Sequence, residues 1–390
     1  MQTTRMTLAR PMALALIAAL TLGGCGEPEQ TQRHGHLVIV GGGLLDNNAE
    51  IYDRMLMLTE ADGAWGVLPT ASAAPVESGR RAVRQFQRYG GEGIAELVDI
   101  RQGDHDKAAD PEYVSRIEAM RGLFFTGGSQ TRIVDVFRPE AGDTPAYQSM
   151  RRLLSDGAVV AGTSAGAAMM SNPMIRSGDS HVALTRGRAY GMTAAPEDGV
   201  SIGRGMGFFP YGMTDQHFLS RGRLGRLLVA VEETPFQRGY GIDDNRAIHV
   251  NLGTGRIEAL GGPRALLVLD ASHSHFGKDD RQNYRLSLLG SGDAIDGLTG
   301  RVTPARGKVP LPRHHGTLQD IATEDDAWAH HVIPDLIEDI ALNPARHAIA
   351  LDRSFEIHLI EDQTTQYWID PDGEPESLSV INLRMDIVPR

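Results

Sequence analysis

The sequence is poor in the residues that build cross-links and basic surfaces. Its 390 residues include one cysteine, which excludes an intrachain disulfide and a four-cysteine zinc site. It has no dense run of Lys and Arg, and 50 Asp and Glu residues outnumber 38 Lys and Arg residues, for a formal net charge of -12. A folded surface this acidic repels phosphate backbones, so we expect no nucleic-acid partner. The hydrophobic content of 41% suffices for a sizeable core.

The first 24 residues form a predicted export signal. Arg5 and Arg10 precede an apolar run, Met12 to Leu22, which is shorter than the about 20 residues of a membrane-spanning helix. Loss of residues 1–24 with these two arginines would change the net charge from -12 to -14. The segment therefore predicts secretion rather than a membrane span.

The single cysteine stands at the end of this signal. Leu22-Gly23-Gly24-Cys25 resembles the bacterial lipobox, in which cleavage precedes a cysteine that is then acylated. The resemblance implies a lipid anchor on Cys25, and Gly26 in the next position implies the outer membrane, on its periplasmic or its outer face. Residues 25–35 would then be a tether. The alternative is an ordinary signal peptide followed by a chance cysteine.

Short apolar runs alternate with longer stretches of helical period after residue 35. This pattern is typical of an α/β fold with a doubly wound, mostly parallel sheet. The predicted elements are a helix near Ser78 to Tyr89 and strands at Leu37 to Val40, Gly66 to Leu68, Glu96 to Ile100, Leu123 to Phe125 and Ala158 to Ala161. Each strand ends in small or turn residues, and ligands bind at the carboxyl ends of such strands. We therefore expect these loops to meet at one site.

The organisation changes towards the carboxyl terminus. Residues 36–298 form the predicted main domain, residues 299–317 a linker or loop, and residues 318–390 a small α+β extension. The polar stretch from Ser272 to Arg281 is predicted as a loop. The extension offers a helix around Trp328 to Leu342 and strands at Phe355 to Leu359, Thr365 to Ile369 and Ser379 to Leu383. It is either a separate unit or, as we favour, an extension of the main sheet at its edge.

A G-x-S-x-G motif, Gly162-Thr163-Ser164-Ala165-Gly166, follows a buried strand and precedes a helical run. That context is typical of a nucleophile elbow, a sharp turn that raises the serine hydroxyl out of the sheet edge. The amino end of the helix supplies free N–H groups near an oxyanion. The motif predicts Ser164 as a nucleophile, and the alternative is a glycine-rich turn with a surface serine.

A serine hydroxyl needs a base, which a third group orients. Among 14 histidines, His217 differs in lying among polar functions, in the segment Asp215-Gln216-His217-Phe218, next to an apolar helical stripe. Downstream, Asp243 and Asp244 stand before a strand, and either could orient the imidazole. The order Ser, His, Asp differs from the Ser, Asp, His order of α/β-hydrolases, which argues against an esterase or lipase.

Three histidine pairs have spacings that could hold a metal ion. No nearby Cys or HExxH pattern supports a metal site, so we expect neither metal nor cofactor. These pairs are His273 and His275, His314 and His315, and His330 and His331.

Three arginines, Arg221, Arg223 and Arg226, follow His217. At about 100° per residue they do not share one helix face. These arginines either lie on the solvated side of a helix or bind a ligand, and the sequence does not favour one alternative over the other.

Four motifs in order resemble the cyanophycinase family of serine peptidases. They are Phe125-Thr126-Gly127-Gly128-Ser129-Gln130, the serine elbow, the Asp215 to Phe218 segment with its arginines, and Gly241-Ile242-Asp243-Asp244. The likeness covers about His36 to Leu298. It implies a three-layer sandwich related to class I glutamine amidotransferases, in agreement with the α/β pattern, and family members tend to be homodimers.

The resemblance also implies roles for single residues. Ser164 would be the nucleophile, His217 the base and Asp244 the acid, although the family usually has Glu at this last position. To reach His217, the shorter side chain of Asp244 would need a small backbone shift or a bridging water. Otherwise Asp243 would be the acid that orients His217. The implied substrate-binding residues are Gln130, Asp215, Gln216, Arg221, Arg223 and Arg226. As a geometric expectation, the N–H groups of Gly128 and Ala165 would hold the oxyanion.

Cyanophycin is a polyaspartate backbone that carries arginine on each side-chain carboxyl through an isopeptide bond. The resemblance implies cleavage near the chain end and release of β-Asp-Arg dipeptides. Arginine forks can hold aspartyl carboxylates, and an acid such as Asp215 could hold a guanidinium. Two alternatives remain: an aspartyl dipeptidase on the same fold, and a non-catalytic lipoprotein that binds peptides, for which the Asp244 departure is the main support.

Overall fold

The computed structural model describes residues 34–59, 63–190, 196–277, 280–312 and 324–390. The predicted signal peptide, Cys25 and most of the predicted tether lie outside these ranges, as do His314 and His315. Of the helices within the ranges, none combines the length and the apolar character that crossing a membrane requires.

The described residues contain ten α-helices and 22 strands. The helices are α1 (Ala49–Leu58), α2 (Pro75–Gly90), α3 (His105–Ala109), α4 (Pro111–Glu118), α5 (Gln130–Phe137), α6 (Pro145–Ser155), α7 (Ala165–Ala168), α8 (Ser180–Arg186), α9 (Leu224–Glu232) and α10 (Val332–Leu342). The strands are β1 (His36–Val40), β2 (Trp65–Leu68), β3 (Ala95–Leu97), β4 (Gly122–Phe125), β5 (Val159–Thr163), β6 (Met174–Ser177), β7 (Arg188–Ala189), β8 (Val200–Gly203), β9 (Met213–Gln216), β10 (Arg238–Ile242), β11 (Ala247–Asn251), β12 (Arg256–Leu260), β13 (Leu266–Asp270), β14 (His275–Gly277), β15 (Asp280–Leu289), β16 (Ala294–Asp296), β17 (Val302–Thr303), β18 (Val309–Pro310), β19 (His347–Leu351), β20 (Phe355–Ile360), β21 (Gln366–Ile369) and β22 (Ser379–Pro389).

The largest part of the α/β fold is a sheet of nine described strands, in the order β17-β16-β12-β11-β1-β5-β4-β2-β3. The five strands from β1 to β3 along this order pair in parallel, and four antiparallel strands continue the sheet beyond β1. The short apolar runs predicted as strands form the parallel part, because a strand covered on both faces is apolar along its whole length. The prediction of an α/β fold is confirmed.

Alternate residues of β1 face two separate cores. Leu37 and Ile39 belong to a cluster that includes residues of α4, α5, α6 and α7. Val38 and Val40 belong to another cluster, with Tyr52 of α1 and further residues of α2. Since successive strand residues point to opposite faces, the helices cover both faces of the sheet.

A second sheet of ten strands is mostly antiparallel and includes the carboxyl-terminal strands. Its path runs β18-β21-β22-β15-β13-β10-β9, with β14 and β20 paired at its side and β19 on β20. The strands after residue 354 therefore join this sheet rather than the edge of the nine-stranded one. Residues 302–310, within the predicted linker, contribute β17 to one sheet and β18 to the other.

Part of the predicted loop from Ser272 to Arg281 is β-structure. His275–Gly277 forms β14 and pairs with the start of β15, the strand Asp280–Leu289. The guanidinium of Arg281 there donates to the carboxylate of Glu232 on α9 at 3.1 Å. An edge hairpin of this kind keeps polar side chains, so its composition does not distinguish it from a loop.

The loops after several parallel strands converge, as expected for this kind of sheet. The parallel strands β9 and β10 of the second sheet also end there, and two backbone bonds join their ends to the loop after β1. The N–H of Gly41 donates to the carbonyl of Arg246 at 3.0 Å, and the N–H of His217 donates to the carbonyl of Gly41 at 2.9 Å. Residues of both sheets therefore meet at one edge.

Candidate active site

Ser164 occupies a strained turn between β5 and α7. Its backbone has φ 55° and ψ -110°, a region that residues with a side chain rarely adopt. The carbonyl of Ser164 accepts the N–H groups of Ala167 and Ala168, both at 2.9 Å, which starts α7. A Cβ on Gly162 would lie 2.5 Å from the carbonyl oxygen of Gly166. The motif glycines are therefore required by the close approach of strand and helix.

The hydroxyl of Ser164 is hydrogen-bonded to His217, with Oγ and Nε2 at 2.8 Å. His217 follows β9 directly, with φ 47°. Burial lowers the pKa of the His217 imidazole, the charge of Asp244 opposes this, and the nearby guanidinium of Arg221 lowers it further. The pKa lies below its ordinary value, so the ring is neutral at pH 7 and its Nε2 can accept a proton.

Asp244, rather than Asp243, contacts the other ring nitrogen of His217. Its Oδ1 lies within hydrogen-bond reach of Nδ1, and its Oδ2 accepts the hydroxyl of Ser220 at 3.0 Å. Asp243 instead accepts the backbone N–H of Ser220 at 2.9 Å, and its Oδ2 lies 3.8 Å from Nε2 of His331. Of the two acids that the sequence left open, Asp244 has the geometry to orient the imidazole.

The short Asp arm reaches His217 because the loop after β1 draws the two segments together. The carbonyl of Gly42 accepts the N–H of Asn245 at 2.7 Å, while the neighbouring Gly41 carbonyl binds His217. A Cβ on Gly43 would lie 3.3 Å from Oδ1 of Asp244. Glycines therefore let the loop after β1 approach the side chains of His217 and Asp244 closely. Oδ1 of Asp244 contacts Nδ1 of His217 directly, without a bridging water.

Backbone N–H groups near Ser164 are candidates for holding an oxyanion. The segment before α5 passes close to the serine, since a Cβ on Gly127 would lie 3.7 Å from Oγ of Ser164. Within the described part of the chain, the N–H groups of Gly128 and Ala165 donate to no other group. Gly128 has φ 144°, and a Cβ there would collide with the carbonyl of Ala71. The oxyanion role of these two N–H groups stays a prediction.

The three predicted substrate-binding arginines have different surroundings. Arg221 is exposed, and Arg223 donates to the carbonyl of Gln216 at 2.6 Å. Burial lowers the pKa of Arg223 to about 10, so it remains charged at neutral pH. Arg226 is 5% exposed and forms two hydrogen bonds to the carboxylate of Asp215, one of them from Nε to Oδ2 at 2.8 Å.

The predicted roles of Asp215 and Arg226 in substrate binding stay predictions, and the pair has a structural role. Asp215 is 1% exposed, and its Oδ1 also accepts the N–H of Gln216 at 2.8 Å. Nη1 of Arg226 donates to the carbonyl of Gly178 at 3.0 Å. The pair thus ties α9 to the end of β9, immediately before His217, and a direct contact with substrate would require opening it.

The two predicted glutamines are partly or wholly removed from solvent. Nε2 of Gln130 donates to the carbonyls of Ile175 at 3.0 Å and Arg176 at 2.9 Å, which links α5 to β6. Oε1 of Gln216 is buried and accepts no hydrogen bond within the described residues. A buried amide oxygen without a donor is costly, so Gln216 is the better placed of the two to accept from a ligand.

Sequence reasoning did not single out Ser220 or the role of His331. Ser220 bonds both acids, and His331 approaches Asp243 from the start of α10, its N–H donating to the carbonyl of Leu219 at 3.4 Å. A serine in a polar loop and one of two adjacent histidines carry no distinctive pattern. The contacts of Ser220 and His331 are with residues more than 20 positions away in the sequence. Among the described residues, no group of three or more His, Cys, Asp or Glu side chains could hold a metal ion.

An α/β fold with a serine on such an elbow, hydrogen-bonded to a histidine, is typical of hydrolases that use a serine nucleophile. The family described as Peptidase family S51 matches residues 37–257, more than half of the chain. The chain therefore belongs to peptidase family S51, and it is a serine-type peptidase.

Curated relatives are similar over most of their length. A cyanophycinase from Nostoc sp. is 32% identical over 248 residues, which are 61% of this chain and 77% of that protein. A cyanophycinase from Synechococcus elongatus is 30% identical over 287 residues, or 70% of this chain and 83% of that protein. One from Geminocystis herdmanii is 31% identical over 275 residues, or 67% and 94%. The predicted resemblance to the cyanophycinase family is confirmed.

Proposed function

We propose that this peptidase is an exopeptidase that hydrolyses cyanophycin and releases β-Asp-Arg dipeptides. The observation that carries the proposal is the 2.8 Å hydrogen bond between Oγ of Ser164 and Nε2 of a neutral His217. The similarity to proteins named cyanophycinase supports the choice of substrate.

In the proposed reaction, His217 takes the proton of the Ser164 hydroxyl as its oxygen attacks a backbone carbonyl of the substrate. Asp244 holds the imidazole by Nδ1 and stabilises the imidazolium that forms. The N–H groups of Gly128 and Ala165 would donate to the oxyanion of the tetrahedral intermediate. The imidazolium then gives its proton to the leaving amine, and a water activated by the same imidazole releases the acyl group from Ser164.

The charges around the site support a substrate that carries carboxylates. Arg221 is exposed and close enough to His217 to lower its pKa, and the half-buried Arg223 remains charged beside Gln216. Guanidinium groups bind carboxylates through paired hydrogen bonds. We propose that these two arginines, rather than Arg226, contact the carboxylates of the bound chain, with Gln216 accepting a hydrogen bond from it.

Incubation with insoluble cyanophycin, followed by mass spectrometry of the soluble products, tests this function. We expect β-Asp-Arg from the wild-type protein and none from Ser164→Ala, because the nucleophile alone is removed. Cleavage of short Asp-containing peptides without release from the polymer would indicate an aspartyl dipeptidase. Absence of turnover, together with no labelling of Ser164 by a fluorophosphonate, would leave a peptide-binding protein.

We further propose that the protein is exported and anchored to the outer membrane through a lipid on Cys25. The lipobox-like sequence before Cys25 and the two arginines ahead of the apolar run support this. Metabolic labelling with palmitate and membrane fractionation test the anchor. We expect label on the wild-type protein and none on Cys25→Ser, whereas a labelled Cys25→Ser variant would contradict it. Light scattering of the mature chain tests the implied homodimer.

A further inference from the structure

The turn formed by residues 219–223 carries Arg221, one of the two arginines proposed to contact the substrate. The Arg221 side chain is exposed and forms no hydrogen bond or ion pair within the described residues, so its position depends on the backbone of the turn. The start of the turn is fixed, because Ser220 bonds both Asp243 and Asp244. The far end of the turn is held through Gly222.

Two other elements contact Gly222 from different sides. Its carbonyl accepts the hydroxyl of Ser180, at the start of α8, at 2.5 Å. On another side, a Cβ on Gly222 would lie 2.0 Å from the carbonyl oxygen of Trp328, in the segment before α10. Gly222 has φ 55°, in the region that favours glycine. Trp328 also packs against the apolar cluster that includes Phe218 and Leu219, so the segment before α10 lies directly against the turn.

Asp352, which is 6% exposed, joins these two supports. Its carboxylate accepts a hydrogen bond from Nε1 of Trp328 at 2.7 Å and another from Nδ1 of His181 at 2.8 Å. His181 directly follows Ser180 in α8. The contacts therefore run in a closed ring, from Gly222 through the start of α8 to Asp352, and from there through Trp328 back to Gly222.

Trp328 and Asp352 belong to the carboxyl-terminal extension, beyond the residues 37–257 that match the family. Neither has a part in the proposed reaction. Apolar contacts alone could attach the extension to the turn, but a buried carboxylate is costly unless donors surround it. A buried polar network with all its partners specifies one arrangement of the groups that it joins. The ring therefore does more than attach the extension, because it fixes Gly222 in one position.

We propose that Trp328 and Asp352 are positioning residues for Arg221, and that the carboxyl-terminal extension is therefore a working part of the substrate-binding site. The inference rests on the proposed function in one respect, since the contact of Arg221 with substrate carboxylates belongs to that proposal. Trp328 and Asp352 themselves touch no substrate. They hold Gly222, and with it the guanidinium of Arg221, at one distance from the imidazole of His217.

The His217 ring reports on this position without any substrate, because burial lowers its pKa and the charge of Arg221 lowers it further. NMR titration of the imidazole would compare the wild-type protein, Arg221→Gln, Trp328→Ala and the double variant. We expect Trp328→Ala to raise the pKa of His217 by part of the rise in Arg221→Gln, because the guanidinium is no longer held near the ring. In the Arg221→Gln background, Trp328→Ala should raise it no further. An unchanged pKa in Trp328→Ala, or the same rise with and without Arg221, would overturn the proposal.

A milder variant and a matched control separate this role from a general loss of structure. Trp328→Phe keeps an aromatic ring against the apolar cluster but loses the hydrogen bond to Asp352, so we expect a smaller rise in the pKa of His217. Trp368→Ala is the control, because Trp368 is also a partly buried tryptophan of the extension whose Nε1 donates to a side chain, that of Gln366, at 3.4 Å. Trp368 packs against a different apolar cluster and should leave the pKa unchanged. A rise in Trp368→Ala as large as that in Trp328→Ala would contradict the positioning role.

Kinetics with a soluble cyanophycin segment, at a pH well above the pKa of His217, test the link to substrate binding. We expect Trp328→Ala to raise KM about three- to tenfold, the worth of a weakened hydrogen bond, and to leave kcat nearly unchanged, because Ser164 and His217 keep their contact. Cleavage with an unchanged KM would overturn the extension as part of the substrate-binding site. The expected pKa pattern in a wild-type protein that does not cleave the segment would support the positioning of Arg221 and overturn the proposed function.

Discussion

Gly42 lies against the face of the His217 ring, so closely that a Cβ on Gly42 would be 2.6 Å from each ring nitrogen. Its backbone, with φ 144°, is in a region that favours glycine. The two residues are far apart in sequence and are joined through backbone bonds between the loop after β1 and the ends of β9 and β10. The imidazole that contacts Ser164 is therefore packed against a residue that has no side chain.

We predict that Gly42→Ala abolishes most of the activity. The added methyl group cannot fit unless the imidazole moves, and a shift of about 1 Å in a catalytic group costs about a hundredfold in rate. Turnover of a soluble cyanophycin segment measures the effect. Gly142→Ala is the control, because Gly142 also has a positive φ but a Cβ there meets nothing within 4 Å. A Gly42→Ala enzyme as active as this control would contradict the packing.

We predict that Asp244→Asn lowers kcat far more than Asp243→Asn. An amide at 244 no longer stabilises the imidazolium and can favour the wrong ring tautomer, which in a serine protease triad costs about 10⁴-fold. An amide at 243 can still accept the Ser220 N–H through its oxygen, so we expect a loss of about tenfold or less, the worth of one altered hydrogen bond. The reverse ranking would assign the acid to Asp243.

The sequence predicted the parts of the site that depend on local structure. The elbow around Ser164 is set by glycines within two residues of it, and the positions of the short buried strands follow from continuous apolar runs. These features place a hydroxyl at a sheet edge without knowledge of the rest of the chain. The hypothesis that His217 is the base for Ser164 rests on the polar residues around His217 in the sequence and on the family resemblance.

The sequence could not rank the two acids or reveal the second sheet. The choice of Asp244 depends on where the β1 loop binds Asn245, about 200 residues away in sequence. Antiparallel strands such as β15 and β22, which are separated by about 90 residues, choose partners through tertiary contacts that periodicity does not encode. The same holds for Arg226, whose helical position is compatible with a solvated face but whose partner Asp215 makes it buried.

We predict that the acid limb of the pH profile of kcat/KM depends on Arg221. The reaction needs neutral His217, so activity falls as the pH drops through the pKa of this ring, which burial and Arg221 hold below its ordinary value. Arg221→Gln removes a positive charge that disfavours the protonated ring, so the pKa rises and the acid limb moves to higher pH. The midpoint of the limb is the readout, because lost substrate contacts change only the height of the profile.

Arg84→Gln, at an exposed position on α2, is the control for this shift and should leave the midpoint in place. High salt should reduce the difference between wild-type protein and Arg221→Gln, since the exposed charge is screened. A midpoint that moves to lower pH in Arg221→Gln would show that the guanidinium does not act on His217 through its charge.

We predict that Arg226→Met destabilises the fold by up to about 3–5 kcal/mol, because the buried carboxylate of Asp215 loses both of its hydrogen bonds to this guanidinium and keeps only Arg223, 3.9 Å away, as a cation. Unfolding in urea, followed by circular dichroism, measures the change. Glu96→Gln breaks the more exposed pair between Arg116 and Glu96 and should cost no more than about 1 kcal/mol. Replacing both partners, in Arg226→Met with Asp215→Leu, should recover part of the loss because the buried carboxylate is removed, while Arg223 keeps its hydrogen bond to the carbonyl of Gln216. If Arg226→Met cost no more than Glu96→Gln, the pair could not be the element that fixes α9 to the end of β9 and so positions His217.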